Sequence, residues 1–194
     1  YNDNGIFISA DFTDEPIFCY PIGNGDKKST ISKLIEFAKS LNVNLEFFGL
    51  TEKDRDELNY LFPNQFDIHE TRDFFDYLYK SEDLANLVGR KYHSKKNHVS
   101  YFEKNFDWKY EPINKDNIEQ CLLLNDHWEG LNKQKNPEEI SDENKAIKKA
   151  LNNYFDLDFE GGVLTIQGEI VAFTFGERLN DNTFCTHVEK AYGN

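Results

Sequence analysis

The sequence lacks methionine, contains only three cysteines and five prolines, and has no long apolar run. A membrane-spanning helix needs roughly 18 or more consecutive apolar residues, so we predict no integral membrane segment. No basic start followed by an apolar stretch is present, which excludes a recognisable secretory signal. Because there is no initiator methionine and a strand-like segment stands at each end, we expect both ends of the chain to be cut.

The spacing of the cysteines and histidines argues against a disulfide-stabilised domain and against a metal-stabilised domain. Cys19, Cys121 and Cys185 lie far apart and form no C-x-x-C pair. An odd number of widely spaced cysteines is typical of buried, reduced thiols in a cytoplasmic protein rather than of a disulfide framework. His93 and His98 are separated by five positions without a cysteine nearby, so we predict no metal site.

Basic residues are scarce, since 22 Lys and Arg face 35 Asp and Glu, for a formal net charge of −13. This acidity, without an interleaved aromatic and basic platform, argues against DNA as a partner. The 194 residues suffice for one large or two small domains, and 39% hydrophobic residues can fill a core. We therefore expect a globular protein with an acidic surface.

One stretch departs from this acidity, and we call residues 87–102 the basic segment. No carboxylate occurs between Leu84 and Phe102. A local positive field in an acidic protein attracts a phosphate-bearing ligand, although a solvated lysine-rich helix face is the simpler alternative. The candidate phosphate-binding residues are Arg90, Lys91, His93, Lys95, Lys96, Asn97 and His98.

Helical spacing runs through the basic segment, and we predict a helix broken at Gly89. A second helical turn beginning there would expose backbone N–H groups and a helix dipole to the same anion. By contrast, the loop Gly23-Asn24-Gly25-Asp26 is not preceded and followed by the strand–GxxxxGK–helix pattern. We therefore predict that this loop only ends a hairpin and holds no phosphate.

The hydrophobic patterns predict an α+β fold with helices preceding an antiparallel sheet. We expect two related halves, residues 1–107 and 108–194, that meet near residues 108–114. The predicted strands are 5–11, 16–21, 45–50, 66–79, 108–112, 162–167, 170–178 and 183–190. The predicted helices are 29–41, capped by Ser29 or Thr30, then 51–60, 87–102, 114–131 and 141–154.

The last predicted strand carries the candidate chemistry. Alternation places Cys185, His187 and Glu189 on one face, where His187 and Glu189 could form an acid–base pair. Cys185 could act as a nucleophile beside His187, but a Cys and a His on one strand are more often packing residues. Trp128, on an amphipathic helix, is either a core residue or the aromatic wall of a pocket.

Two long runs resemble an uncharacterised bacterial family related to the C-terminal catalytic domain of phosphatidylglycerol lysyltransferases. The first run includes Asp76-Tyr77-Leu78-Tyr79 and Gly89-Arg90-Lys91-Tyr92-His93-Ser94-Lys95-Lys96-Asn97-His98-Val99. The second includes Gly161-Gly162-Val163-Leu164, Val171-Ala172-Phe173-Thr174-Phe175-Gly176-Glu177-Arg178 and His187-Val188-Glu189-Lys190-Ala191. The resemblance extends from about residue 67 to the end, and more loosely before it.

The resemblance implies a tandem acetyltransferase-like (GNAT) fold, with mostly antiparallel central sheets flanked by helices. It implies an acyltransferase-like function, in which an aminoacyl or acyl group passes from a phosphate-bearing donor to an amine or hydroxyl. The co-substrate would be aminoacyl-tRNA or acyl-CoA, with no tightly bound cofactor. The partner would be a small-molecule or aminoacyl-tRNA substrate, and the identity of the acceptor stays open. For such a function we expect His187 and Glu189 as catalytic residues, and Trp128, Glu177 and Lys190 as pocket residues.

The chain departs from this family pattern in two ways. A typical GNAT has a Gln/Arg-x-x-Gly-x-Gly/Ala loop after its fourth strand, where backbone N–H groups hold a pyrophosphate. No such loop follows Lys190, and the basic segment lacks its glycines. The membrane-spanning half of the lysyltransferases is also not in this sequence. The alternative is a non-catalytic ligand-binding module with the same fold, and the oligomeric state stays open.

Overall fold

A computed structural model describes residues 9–10, 16–132 and 137–192. Two units are distinguished within the chain, Tyr1–Tyr79 and Lys80–Asn194. The boundary expected at residues 107 and 108 falls inside the second unit, and the division into two GNAT-like halves stays a prediction. Most of the first predicted strand, residues 5–11, lies outside the described residues.

The first unit contains a three-stranded sheet with the order β1 (Ser9–Ala10), β2 (Ile17–Cys19) and β3 (Glu46–Phe48). β1 and β2 are antiparallel, whereas β2 and β3 are parallel. A parallel pair needs a crossover connection, which α1 (Lys27–Ser40) provides, and α2 (Glu52–Leu61) follows β3. The core of the unit is formed by Tyr20, Ile31, Leu58 and Phe62.

Side-chain caps set the start of both helices of this unit. Asp26 caps α1 by accepting a hydrogen bond from the backbone N–H of Ser29, so the expected cap at Ser29 or Thr30 is wrong. The helix begins at Lys27, two residues before the predicted start, which makes Asp26 the residue that precedes its first turn. Thr51 caps α2 as predicted, in a reciprocal capping box with Asp54.

The strand predicted over residues 66–79 is wrong. The structure describes all of these residues, and they contain a single 3-10 turn, Arg72–Phe74, and no strand. Tyr77 and Leu78 are 87% and 89% exposed, so their apolar pattern faces no core. A strand needs a partner for its backbone groups, and an alternating pattern cannot supply one.

The second unit begins with α3 (Ser81–Asn86), a 3-10 turn at Arg90–Tyr92, and α4 (His93–Asn105). The elements that follow are β4 (Trp108–Pro112), α5 (Ile118–Asn132), α6 (Pro137–Asn152), β5 (Glu160–Ile166), β6 (Glu169–Asn180) and β7 (Thr183–Ala191). The last three strands confirm the prediction closely. Their sheet has the order β4-β5-β6-β7 and is antiparallel throughout.

A tight turn fixes the register of this sheet. Gln167 and Gly168, which join β5 to β6, have φ angles of 55° and 87°, and Ile166 pairs directly with Glu169. Two positive φ angles in a two-residue loop match the right-handed twist of a hairpin. The helix-covered face of the sheet packs on α5 and α6 through Cys121, Leu124, Ile147, Leu151, Tyr154, Val163, Phe173 and Phe175.

The fold is therefore a mixed α+β arrangement with a four-stranded antiparallel sheet flanked by helices, as predicted. Helices precede the three-stranded part of the sheet, which is the order that the GNAT-like expectation requires. Within the described residues, every helix is too short or too polar to cross a membrane.

Candidate functional site

A short polar contact joins β6 to β7. His187 Nε2 lies 2.8 Å from Glu177 Oε1, and the imidazole also packs edge-on against Phe159, with 5.5 Å between ring centroids. Both side chains keep access to solvent, with exposures of 36% for His187 and 43% for Glu177. A carboxylate on Nε2 fixes the orientation of the ring and leaves Nδ1 to act on another group.

A bulge in β7 produces this contact. Val188 pairs with Phe175 and Thr186 pairs with Gly176, so His187 is an extra residue with no partner in the β6 register. Glu177 follows Phe175 by two positions and therefore shares its helix-covered face. The bulge re-aims His187 toward that face, where Glu177 stands.

The predicted pair of His187 with Glu189 is not what the structure shows. Val188 packs against the core and Lys190 is buried, so Glu189 between them points to the opposite face of the sheet. The prediction required side chains to alternate without a break along β7, and the bulge interrupts this alternation. Whether Glu189 contacts a substrate stays a prediction.

Cys185 adjoins the same pair. Its Sγ lies 3.9 Å from His187 Nδ1, within reach of a weak thiol hydrogen bond, and the residue is half-buried. The absence of a side chain at Gly176 lets β7 lie close to β6 at this point. A Cβ at Gly176 would collide with the carbonyl oxygen of Cys185. Cys185, His187 and Glu177 thus form a continuous chain of contacts, which we call the thiol–imidazole–carboxylate chain.

Two of the predicted pocket residues meet elsewhere on the same face. Lys190 Nζ lies 3.4 Å from the centre of the Trp128 ring and 2.8 Å from Glu143 Oε1. The Lys190 side chain is only 5% exposed, so its charge depends on these two contacts. Trp128 is therefore an aromatic wall for a buried cation. Glu143, which lies on α6, was not predicted from the sequence as a site residue.

Further polar residues link α5 to α6. Asn144 is buried and donates to Glu129 Oε2 at 2.6 Å and to Asp126 Oδ1 at 3.3 Å. A hydrogen bond from Lys148 lowers the pKa of Asp126. Asn125 is 1% exposed, and its Nδ2 has no hydrogen-bond partner among the described residues. Polar contacts therefore join α5 to α6 beside the apolar core.

The basic segment breaks where the sequence predicts. Leu87 and Gly89 have φ angles of 48° and 102°, which end α3 and separate it from the 3-10 turn before α4. Such φ values are easily adopted by glycine, and the break at Gly89 is confirmed. Most of the candidate phosphate-binding side chains are then displayed on α4 and the turn that precedes it.

The cations of the basic segment face solvent. Tyr92 is buried, whereas the predicted phosphate-binding residues are all exposed, namely Arg90, Lys91, His93, Lys95, Lys96, Asn97 and His98. Lys91 is bound to Asp83 at 3.1 Å, and this hydrogen bond raises the pKa of Lys91 and lowers that of Asp83. The segment is an open charged surface, and its binding role stays a prediction.

The glycine loop of the first unit, Gly23-Asn24-Gly25-Asp26, is predicted from the sequence only to end a hairpin. It joins β2 directly to α1, and a cavity of about 360 Å³ is lined by Gly23, Asn24, Gly25, Asp26, Lys27, Lys28, Glu57 and Leu61. The residues Tyr20-Pro21-Ile22-Gly23-Asn24-Gly25 follow the x-x-Gly-x-Gly spacing of a GNAT loop, with Tyr20 where Gln or Arg is usual. This spacing differs from GxxxxGK, the pattern on which the prediction of no phosphate site rests.

Two contacts already occupy part of that loop. Lys27 Nζ binds Glu57 Oε2 at 2.6 Å. The Asp26 carboxylate accepts a hydrogen bond from the backbone N–H of Ser29 in the first turn of α1. Tyr20 donates to the same Glu57 carboxylate. An anion entering here would therefore compete with Asp26 for the end of the helix.

A second cavity, of about 330 Å³, lies within the second unit. It is polar, and its lining includes Asp107, Lys109, Glu111, Asn117, Thr165 and Gln167. Across the described residues, no group of three or more His, Cys, Asp and Glu side chains is arranged to hold a metal ion.

Comparison with known proteins identifies relatives of this chain. The family described as phosphatidylglycerol lysyltransferase, C-terminal, matches residues 2–194. A crystal structure of a conserved protein of unknown function from Bacteroides thetaiotaomicron VPI-5482 is 36% identical, with a TM-score of 0.86. The match covers 98% of this chain and 64% of that chain, so this chain spans less than two thirds of its relative. No curated protein matches.

Proposed function

Because this chain belongs to the family of the phosphatidylglycerol lysyltransferase C-terminal domain, we propose that it acts as an acyltransferase-like protein. It transfers an aminoacyl or acyl group from a phosphate-bearing donor to an amine or hydroxyl acceptor. The free state of Cys19, Cys121 and Cys185 supports a cytoplasmic location for this reaction.

The observation that carries the proposal is the 2.8 Å contact between His187 and Glu177. An amine acceptor must lose a proton before or during its attack on the acyl carbonyl, and an oriented imidazole is suited to accept it. The donor ester or thioester is already activated, so positioning and a single base supply most of what the reaction needs.

Two surfaces suit two different donors. The exposed basic segment suits a long polyanion such as tRNA, whose phosphates are spaced along a strand and are bound largely through charge. The Gly23–Gly25 loop, with its cavity of about 360 Å³ before α1, suits the compact pyrophosphate of coenzyme A. Each surface is thus a separate hypothesis about the donor.

Binding experiments separate these donors. We expect the change of Lys95 and Lys96 to Ala to weaken tRNA binding at low salt and to reduce the salt dependence by about one ion per lysine. The same variant leaves coenzyme A binding unchanged. Changing Lys28 to Ala, a matched exposed lysine beside the glycine loop, gives the reverse pattern if coenzyme A binds there. Failure of both ligands to bind the unaltered protein at low salt contradicts the donor hypothesis.

A transfer assay tests the reaction itself. Charged tRNA and acetyl-coenzyme A are supplied with a mixture of small amines, and labelled product is counted. We expect His187→Ala to lower the rate by about 10²–10⁴-fold, as for the loss of a general base. Glu169→Gln, an exposed carboxylate on the same strand as Glu177, is the control that keeps the rate.

Non-catalytic ligand binding on the same fold is the second candidate function. The exposure of the basic segment favours it, because a surface of this kind binds without enclosing a substrate. This function predicts ligand binding without turnover, and no effect of His187→Ala on any measured rate.

A further inference from the structure

The thiol–imidazole–carboxylate chain has the arrangement of a nucleophile, its base and a group that orients the base. We propose that Cys185 is a nucleophilic thiol that takes the acyl group from an activated ester as a transient thioester, with His187 as its base and Glu177 as the positioning residue. This inference rests on the proposed transferase function for its natural donor. The reactivity of the thiol can be measured without that donor.

Geometry supports these roles in the stated order. The 3.9 Å contact joins Cys185 Sγ to Nδ1 of His187, whereas the 2.8 Å contact joins Nε2 to Glu177. A carboxylate on Nε2 favours the tautomer with its proton on Nε2, which leaves the lone pair of Nδ1 directed at the thiol. A nucleophile beside a base that a third group orients is the recurring pattern of covalent acyl transfer.

The fold also holds these atoms in place. Glu177 pairs directly with Cys185 across the ladder, and Phe159 packs on one edge of the imidazole. Gly176, beside them, admits no side chain without a collision with the Cys185 carbonyl. The three groups therefore come from paired strands instead of loops, which limits how far each can move.

The other two cysteines provide internal comparisons. Cys121 is fully buried, and burial raises the pKa of its thiol to about 11, so it stays unreactive near neutral pH. Cys19, on β2, is half-buried like Cys185. A difference in reactivity between Cys185 and Cys19 therefore reports their neighbours more than their exposure.

The transfer proceeds in two balanced steps. In the first, Nδ1 of His187 takes the thiol proton as Sγ attacks the acyl carbonyl carbon; a C–S bond forms, and the bond from that carbon to the donor oxygen or sulfur breaks. The departing group takes the proton from the imidazolium. In the second, the acceptor amine or hydroxyl attacks the thioester and gives its proton to His187, which returns it to the departing thiolate.

Alkylation measures the thiol alone. Iodoacetamide is applied to the folded protein at pH 7, and the modified cysteines are identified by peptide mapping. We expect Cys185 to react about tenfold or more faster than Cys19, and His187→Ala to remove that advantage. Glu177→Gln reduces it in part, whereas the control Glu169→Gln keeps it. Equal rates for Cys185 in the unaltered and His187→Ala proteins overturn the inference.

Acylation tests the thioester. p-Nitrophenyl acetate serves as an activated ester, and we expect a hydroxylamine-sensitive acetyl group on Cys185 that Cys185→Ser removes and Cys19→Ser keeps. Acetyl groups found only on lysines overturn the inference. Transfer from tRNA or acetyl-coenzyme A at an unchanged rate in Cys185→Ser also overturns it, while leaving the proposed function standing. Loss of transfer in His187→Ala and Cys185→Ser alike supports both.

Discussion

Residues 80–106 and 108–191 belong to the same unit, but they use their apolar side chains in opposite ways. The four-stranded sheet and its two helices bury large side chains such as Phe173 and Phe175 almost completely. In the preceding segment, Tyr92 is buried, while Val88 and Tyr101 are 71% and 64% exposed. α3 and α4, both described in full, contain no buried residue.

This difference in side-chain burial matches the function proposed for each region. Attraction of a polyanion depends on the total charge within a Debye length, so exposed and loosely packed side chains are adequate for it. Proton transfer depends on distances fixed to fractions of an ångström, which paired strands provide and an exposed helix does not. Packing density and chemical precision therefore occur together in this unit.

The largest expected effect on this comparison comes from the core of the sheet. Phe175→Ala removes a ring that is 1% exposed and packs against Phe159 and Tyr154. We expect it to lower the free energy of unfolding by about 3–5 kcal/mol, measured by urea denaturation. Val99→Ala on α4 is the matched truncation, and we expect a change within about 0.5 kcal/mol. Similar losses for both would contradict the contrast in packing.

A smaller loss follows when the buried lysine loses its partner. Glu143→Ala leaves Lys190, whose side chain is 5% exposed, with only the Trp128 ring beside its charge. We expect the free energy of unfolding to fall by about 2 kcal/mol. This is less than the usual cost of breaking a fully buried pair, because Glu143 is half-exposed. Glu143→Gln keeps an acceptor and loses less. No loss in either variant would show that solvent already compensates Lys190.

Alkaline pH tests the burial of Cys121. Its pKa rises from 9.0 to about 11 on burial, so between these values the unfolded thiol releases its proton and the folded thiol keeps it. The stabilising contribution is complete below pH 9 and is lost as the pH rises through 11. We expect the free energy of unfolding to decline by about 2 kcal/mol over this pH range, and to decline less in Cys121→Ala. An identical pH dependence in both proteins would contradict it.

The smallest effect is expected at the ion pair of the exposed region. Asp83→Asn removes the partner of Lys91 at the surface, where solvent screens both charges. We expect no measurable change in the urea midpoint, and slightly tighter tRNA binding because Lys91 is released from its partner. Asp142→Asn, which removes a similar exposed partner from Lys145, is the control that leaves tRNA binding unchanged. Weaker tRNA binding in Asp83→Asn would contradict a binding role for Lys91.

The sequence predicted elements whose signals are local. The strands β5–β7, the break at Gly89 and the Thr51 cap each depend on a few neighbouring residues, and the structure confirms them. The strand expected at 66–79 failed because pairing needs a distant partner. The contact of His187 with Glu177 was missed because a bulge shifts the pairing register, and nothing in the alternation of β7 announces it.

The bulge has a consequence for the spacing of residues along β7. In a regular strand, Cys185 and Lys190 would point to opposite sides, because an odd number of steps separates them. The extra residue, His187, brings both to the side covered by α5 and α6. Deleting His187 would leave four steps between them, so a regular strand would still hold the thiol and the ammonium on one side. The surplus residue therefore adds an imidazole beside the thiol without turning either polar group away from the helices.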